Sequence, residues 1–225
     1  MLTIWFLFSA LGCDPQDNKD DSGAVLDSDD SSSETGGPGE TGETGETGEP
    51  DETGLRFLDV EGLSPGDLVI SEVMVDPDKC DDGKGEYFEI YNASGAQVDL
   101  AGLQLSASAE TVTLTDSLVI EPGAYVLGRK ETSSDCYQLD PLFRYALSLN
   151  NSGDVLTLSS SSGVIDALDF QGWTVPTGKA LNLAPDALDA SSNDLESSWC
   201  ASTTPLGMGI DDAGTPGAPN DTCAD

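Results

Sequence analysis

The sequence predicts an all-β sandwich preceded by a disordered acidic tether. Three observations predict it. From about Asp67 onward, short runs rich in β-branched and aromatic residues alternate with turn residues roughly every 8–12 positions, the spacing of a β-sandwich. Long helix-forming stretches are scarce, while Gly, Ser, Thr and Asp are abundant. Residues 14–54, by contrast, hold 14 acidic residues and a single basic one, Lys19, with almost no apolar side chains. Such a segment cannot bury enough surface to offset the entropy of ordering it.

Taken in chain order, residues 1–12 come first. "MLTIWFLFSALGC" is an apolar run that ends in small residues and a Cys. It is too short to span a bilayer as a helix and reads as a signal peptide with a processing site. Ala10-Leu11-Gly12-Cys13 resembles a bacterial lipobox. The resemblance implies cleavage before Cys13 and lipidation of Cys13, which holds the chain on a membrane. Each buried CH₂ of the acyl chains would contribute about 0.8 kcal/mol. The alternative is a non-lipidated signal peptide. Residues 13–54 then form the tether, which contains "GETGETGETGEP" with Gly39, Gly42, Gly45 and Gly48 at every third position. Only Pro38 and Pro50 accompany them, and the run is too short for a triple helix, so it reads as a self-repelling spacer. Its coil dimension would be about 35 Å. Residues 55–66 are an approach segment, residues 67–221 the folded domain and residues 222–225 its end.

Within the domain, "DLVISEVMVD" (67–76) is a short β-branched strand and "EYFEIYN" (86–92) a second. Period-2 counting puts Tyr87, Glu89 and Tyr91 on one face, and Phe88, Ile90 and Asn92 on the other. "VDLAGLQLS" is a third strand, "TVTL" and "SLVI" are short ones, and "EPGAYVLG" supplies a turn and the next. "YALSLNNSGDVLTLSSSSGVIDALDF" holds three strands with turns at "NNSGD" and "SSSSG", and "KALNL" is another.

These segments, in this order, together with "SSWCASTTPLGMGIDDAGTPGAPN", resemble the lamin tail domain. That family shows an I-x-E-V strand, an E-Φ-x-N strand (Φ apolar), a V-D-L-x-G-x-x-L segment, a P-G-x-Y-V turn, an L-x-x-x-G-D-x-L-x-L pair and a terminal T-P-G-x-x-N. The resemblance spans roughly Asp67 to Asn220. It implies an immunoglobulin-like β-sandwich acting as an interaction module without catalytic activity, of a kind that recurs behind signal peptides in bacterial surface proteins.

The chemistry available to this chain is bounded by its charge. Among 225 residues, 8 are basic, 42 are acidic and none is His, for a formal net charge of −34. Imidazole bases and ligands are excluded. Residues 67–221 alone carry 25 acidic and 6 basic residues, which opposes the DNA binding that lamin relatives show. Divalent cations and basic partners are favoured instead. No G-x-S-x-G, P-loop or His-based metal motif occurs, so no enzyme activity is expected.

Three acids, Glu72, Glu89 and Asp99, fall on neighbouring strands, where two could approach and raise one pKa or bind a cation; otherwise each caps a turn or faces solvent. "DKCDDGKGEYFE" (78–89) nearly spells an EF-hand loop, but Cys80 stands at the third position and strands flank it. A non-EF calcium site using Asp76, Asp78, Asp81 and Asp82 is the metal expectation. Trp173 and Tyr137 sit in expected loops, and either present a ligand face or cover the ends of the core.

Five cysteines remain to be placed. With Cys13 lipidated, Cys80, Cys136, Cys200 and Cys223 make an even number in an exported chain, with three possible connectivities. Cys80–Cys136 and Cys200–Cys223 are expected, since the first two lie in sandwich loops and the last two bracket "GTPGAPN". The expected protein is therefore a non-enzymatic, lipid-anchored protein of the bacterial cell envelope, facing the periplasm or the outer surface, with envelope proteins or glycans as partners and no nucleic acid. A calcium-dependent adhesion or glycan-binding module is the alternative.

Overall fold

The computed structural model describes Gly54, residues 56–130 and residues 136–224. Its strands, in chain order, are β1 (Phe57–Asp59), β2 (Leu68–Met74), β3 (Tyr87–Asn92), β4 (Gln97–Asp99), β5 (Gln104–Ala107), β6 (Glu110–Thr113), β7 (Val119–Ile120), β8 (Tyr125–Lys130), β9 (Phe143–Tyr145), β10 (Val155–Ser160), β11 (Gly163–Asp169), β12 (Leu181–Leu183), β13 (Trp199–Ala201), β14 (Pro205–Gly207) and β15 (Ile210–Ala213). A six-stranded sheet runs β13-β12-β2-β3-β8-β9 and a four-stranded sheet runs β11-β10-β5-β6. A three-stranded sheet, β1-β4-β7, and the β14–β15 hairpin complete the set.

The main core lies between the two large sheets. It gathers Phe88 and Ile90 from β3, Leu105 from β5, Leu156 and Leu158 from β10, Ile165 and Leu168 from β11, and Phe143 and Tyr145 from β9. Alternation along β10 explains its part: Leu156, Leu158 and Ser160 turn inward, and Val155, Thr157 and Ser159 are half-buried on the other face. Phe88 packs on both Phe143 and Tyr145, with ring centroids 5.8 and 4.9 Å apart. All seven residues of β2 are buried, because the six-stranded sheet is covered on its outer face as well. There Met74, Tyr87, Leu127 and Ala180 form a second, smaller core, with Leu206 of β14 packed against it.

The expected strands are found, the closing segment adds β13, β14 and β15, which the strand reading does not predict, and three further differences stand out. "VDLAGLQLS" is two strands, β4 and β5, because Gly102 takes a left-handed turn (φ 92°) between them. The strand expected from Tyr145 starts earlier, as β9, and leaves the ladder at Tyr145; Leu147 and Leu149 still turn inward, so the alternation outlasts the pairing. The approach segment is part of the fold: it carries β1 and a 3₁₀ turn (Val60–Gly62), with Val60 and Leu63 in the core. The signal sequence and the tether lie outside the described residues.

The β5–β6 hairpin shows how the chain meets a local cost. Its two turn residues, Ser108 and Ala109, both have positive φ (48° and 67°), a conformation that favours Asn-Gly. The Asp154 carboxylate holds the turn by accepting from the Ser108 N–H (3.0 Å) and hydroxyl. Ala109 is exposed and carries the backbone strain with no such support. Ala109→Gly is therefore expected to stabilise the domain by about 1 kcal/mol. Urea denaturation checks this, and a loss of stability would show that the turn is not strained.

Candidate functional site

A β-bulge decides which side chains meet on the outer face of the six-stranded sheet. Ile70 stands opposite Ile90; the register then shifts, and Glu72 stands opposite Glu89, Val73 opposite Phe88 and Met74 opposite Tyr87. Ser71 is the extra residue. Without it, Glu72 would share the core face of Ile70. With it, Val73 takes the core position, and Glu72, Glu89 and Tyr87 share the outer face. Like charges directly opposed in a ladder repel each other, so something must hold them.

The chain's own C-terminal strap does so. Residues 214–220, "GTPGAPN", cross this face. The Thr215 N–H donates to both Glu72 carboxylate oxygens (2.8 and 3.0 Å), and its hydroxyl donates to Glu72 as well. The Tyr87 hydroxyl and, at 3.5 Å, the Ser202 hydroxyl complete the donors around Glu72. Glu89 accepts from Ser71 Oγ (2.7 Å) and from the Gly217 N–H (2.6 Å). Asn220 closes the strap, its Nδ2 donating to the carbonyls of Ser71 (2.7 Å) and Leu183 (2.8 Å). Gly214 is required where the strap enters, because a Cβ there would stand 2.0 Å from the Tyr87 hydroxyl.

Both carboxyls are fully buried. Burial first, and then the Glu72 charge, push the Glu89 carboxyl up to about 8. Burial raises Glu72 too, but the Thr215 and Tyr87 hydrogen bonds work against the rise. With more donors turned toward it, Glu72 is the member that keeps the charge, and Glu89 holds the proton near neutral pH. The same burial drives the Tyr87 hydroxyl far up. This arrangement has no open side for a substrate. It clamps the strap to the sheet.

Asp99 does not join the pair. It caps a turn, accepting from the Ala101 and Leu118 N–H groups (3.0 and 2.9 Å) and from Ser117 Oγ (2.6 Å). The four aspartates of the calcium expectation are spread over other contacts. Asp81 pairs with Lys84 at 2.7 Å. Asp76 and Asp82 both accept from the Asn151 amide (3.1 Å each), and Asp76 also from Thr177. At Asp78 it is the backbone N–H that is held, by Asp212 at 3.1 Å. Among the described residues, no group of three or more His, Cys, Asp or Glu side chains is arranged to hold a metal ion. Millimolar calcium is accordingly expected to leave the melting temperature where it stands in chelator; a rise of several degrees would restore the site.

Tyr137 is buried, and its hydroxyl donates to Asp212, which also takes the Lys79 N–H at 2.9 Å. Trp173 is half-buried against Trp199, with centroids 6.2 Å apart. The cysteines pair as expected, Cys80 with Cys136 and Cys200 with Cys223. Cys13 lies outside the described residues.

Sequence reasoning missed four further buried acids, one of them Glu86, whose carboxylate pairs with Lys130 Nζ at 2.7 Å. Asp212 and Asp154 each gather backbone N–H groups from loops. Asp166 accepts from the Ile70 N–H (2.7 Å), just before the bulge, and from the Asn193 amide (2.8 Å). Burial pushes its carboxyl up to about 6. Much of the acidity of the domain thus serves as acceptors for loop and bulge N–H groups.

The bulged Glu72–Glu89 pair and the strap join the I-x-E-V, E-Φ-x-N and T-P-G-x-x-N signatures in one network, and the lamin tail domain family matches residues 63–175, half of the chain. The chain belongs to the lamin tail domain family. None of the curated proteins compared with it matches. The lamin tail domain is a non-catalytic, immunoglobulin-like sandwich, and the match suggests a structural or interaction module. The family match stops at Val175, whereas the fold continues through β12 and β13, which extend the six-stranded sheet, and through the strap. The two disulfides of this lamin tail domain suit an oxidising, extracytoplasmic environment. Among the described residues, no helix is long and apolar enough to cross a membrane.

Proposed function

We propose that this protein is a non-enzymatic, lipid-anchored component of the bacterial cell envelope, which displays a lamin tail sandwich outside the cytosol for a structural or protein-interaction role. The observation that carries the reading is the partition of the cysteines. Four of the five pair within the domain, which leaves Cys13, where the apolar N-terminal run stops. An unpaired Cys at that place is what lipidation uses. The buried acids support the non-enzymatic part, because Glu72 and Glu89 are covered by the chain's own donors.

Metabolic labelling with a radioactive fatty acid, followed by membrane fractionation of wild type and Cys13→Ala, tests the anchor. Wild type should carry label and sediment with membranes, and the variant should do neither. Equal sedimentation of the two would sink the anchor. Protease shaving of intact cells then assigns the side: release of the domain places it on the outer surface, and protection places it in the periplasm.

A further inference from the structure

The six-stranded sheet ends in an edge strand with a groove beside it. β13 pairs only with β12 among the described residues. The Ala184 N–H donates to the Ser198 carbonyl and the Ser202 N–H to the Ala180 carbonyl, at 2.9 Å each. In an antiparallel ladder the bonded positions alternate, so the N–H and C=O groups of Trp199 and Ala201 point away from β12. The Trp199 N–H is taken by the Glu196 carbonyl in the 3₁₀ turn Glu196–Ser198, which leaves the Trp199 carbonyl and both groups of Ala201 facing outward. Unpaired outward groups of this kind are a template for another strand.

Against all three β13 residues lies a groove of about 240 Å³. Trp173, Pro176 and Leu181 supply much of its apolar surface. Trp199 is fixed there, because its indole N–H donates to the Asn193 carbonyl (2.7 Å) and its ring meets Trp173 at 56°. Glu196 is the one ionisable side chain lining the groove, and it is exposed. Next to it Leu195 is 55% exposed, a large apolar side chain left in water, with the exposed Asp194 on its other side. The Cys200–Cys223 disulfide ties β13 to the C-terminal segment, so the edge is held in place.

We propose that this edge and groove receive an extended basic segment of a partner protein. The partner's main chain adds to β13, and a Lys or Arg side chain lies over the face of Trp173 toward Glu196. Charge complementarity decides the occupant. The groove offers an aromatic face and a carboxylate with no basic residue, in a domain of 25 acidic and 6 basic residues. Strand addition supplies the affinity, and the groove supplies the choice of side chain. The proposal deepens the interaction role given above and rests on it.

The test uses the full chain and the peptide acetyl-Thr-Val-Lys-Val-Thr-amide, beside the same peptide with Glu in place of Lys, followed by tryptophan fluorescence. The Lys peptide should change the emission saturably, and the Glu peptide should bind at least about tenfold more weakly. Trp173→Ala should weaken Lys-peptide binding about threefold or more, in line with loss of a cation–π contact. Glu196→Lys, at an exposed position, should abolish it with the melting temperature unchanged. Equal binding of the two peptides, no saturable change with either, or full binding by Glu196→Lys would overturn the proposal. So would a response to cellobiose without one to the Lys peptide, which would assign the groove to neutral glycans. None of these outcomes bears on lipidation, which the labelling of Cys13→Ala decides separately.

Discussion

Glu72→Ala is expected to destabilise the domain by about 4 kcal/mol, because it breaks a buried charged network from the acceptor side. Thr215 donates its N–H and hydroxyl to this carboxylate, and Tyr87 donates its hydroxyl. All these donors would be left in a site that water does not reach, at about 1–3 kcal/mol for each group left unsatisfied. The cavity left by the side chain adds to this. Glu72→Gln should also cost stability, because its amide N–H₂ would face the Thr215 N–H. The effect should be local before it is global. Amide exchange at Thr215 and Gly217 should accelerate well before exchange in β10, since the strap loses its clamp while the main core keeps its packing. Urea denaturation with hydrogen exchange reads both. A loss below about 1 kcal/mol, or uniform acceleration, would mean that the strap is held by something else.

Reduction of both disulfides is expected to unfold the domain at 37 °C. Cys200–Cys223 closes a segment of 23 residues and Cys80–Cys136 one of 56. Loop entropy assigns them about 3 and about 4 kcal/mol. Their sum is comparable with the whole net stability of an ordinary domain, about 5–15 kcal/mol. The bonds also join segments far apart in the chain. The first ties the loop before β3 to the segment before β9, and the second ties the sheet edge to the end of the strap. The domain is thereby suited to an oxidising compartment. Circular dichroism with and without reductant tests this; a reduced protein that still melts cooperatively within a few degrees of the oxidised one would refute it.

How much of this was legible beforehand depends on what a one-dimensional pattern can carry. The two faces of β3 were readable by counting in twos: Phe88 and Ile90 do enter the main core, and Tyr87 and Glu89 do turn the other way. Counting could not reveal that both faces are covered, because the cover comes from residues 214–220, more than 120 positions away. Nor could it place Glu72 opposite Glu89. That pairing depends on one extra residue, Ser71, and a bulge has no distinctive residue signature of its own. The calcium expectation rested on the density of acids in one loop. Density says nothing of partners, and Lys84, Asn151 and Thr177 occupy three of the four. β1 was missed because "FLDVEGL" spreads its apolar residues over a short strand and a 3₁₀ turn, so neither period is sustained. The T-P-G-x-x-N ending was visible as a motif, and its physical reason, N–H and hydroxyl donors for two buried carboxylates, emerged only with the fold.

The acids of the signature strands, Glu72 and Glu89, hold the strap, with a proton kept on Glu89. The most direct test is stability against pH for wild type and Glu89→Gln. The Glu89 carboxyl titrates at about 8 in the folded chain, against 4.5 when unfolded. A raised acid contributes stability that is fully present below the unfolded value and is lost as pH rises through the folded one. Wild-type stability should therefore fall between about pH 5 and pH 8, beyond any trend the two proteins share. Gln supplies an oxygen for the Gly217 N–H, its amide N–H₂ can donate to Ser71 Oγ once the Ser71 hydroxyl turns to the main-chain carbonyl of residue 89 (3.4 Å), and it cannot ionise. The variant should match wild type near pH 5 and exceed it at pH 8. Parallel curves for the two proteins would contradict the account, because they would mean that Glu89 is ionised throughout and that the pair is held in some other way.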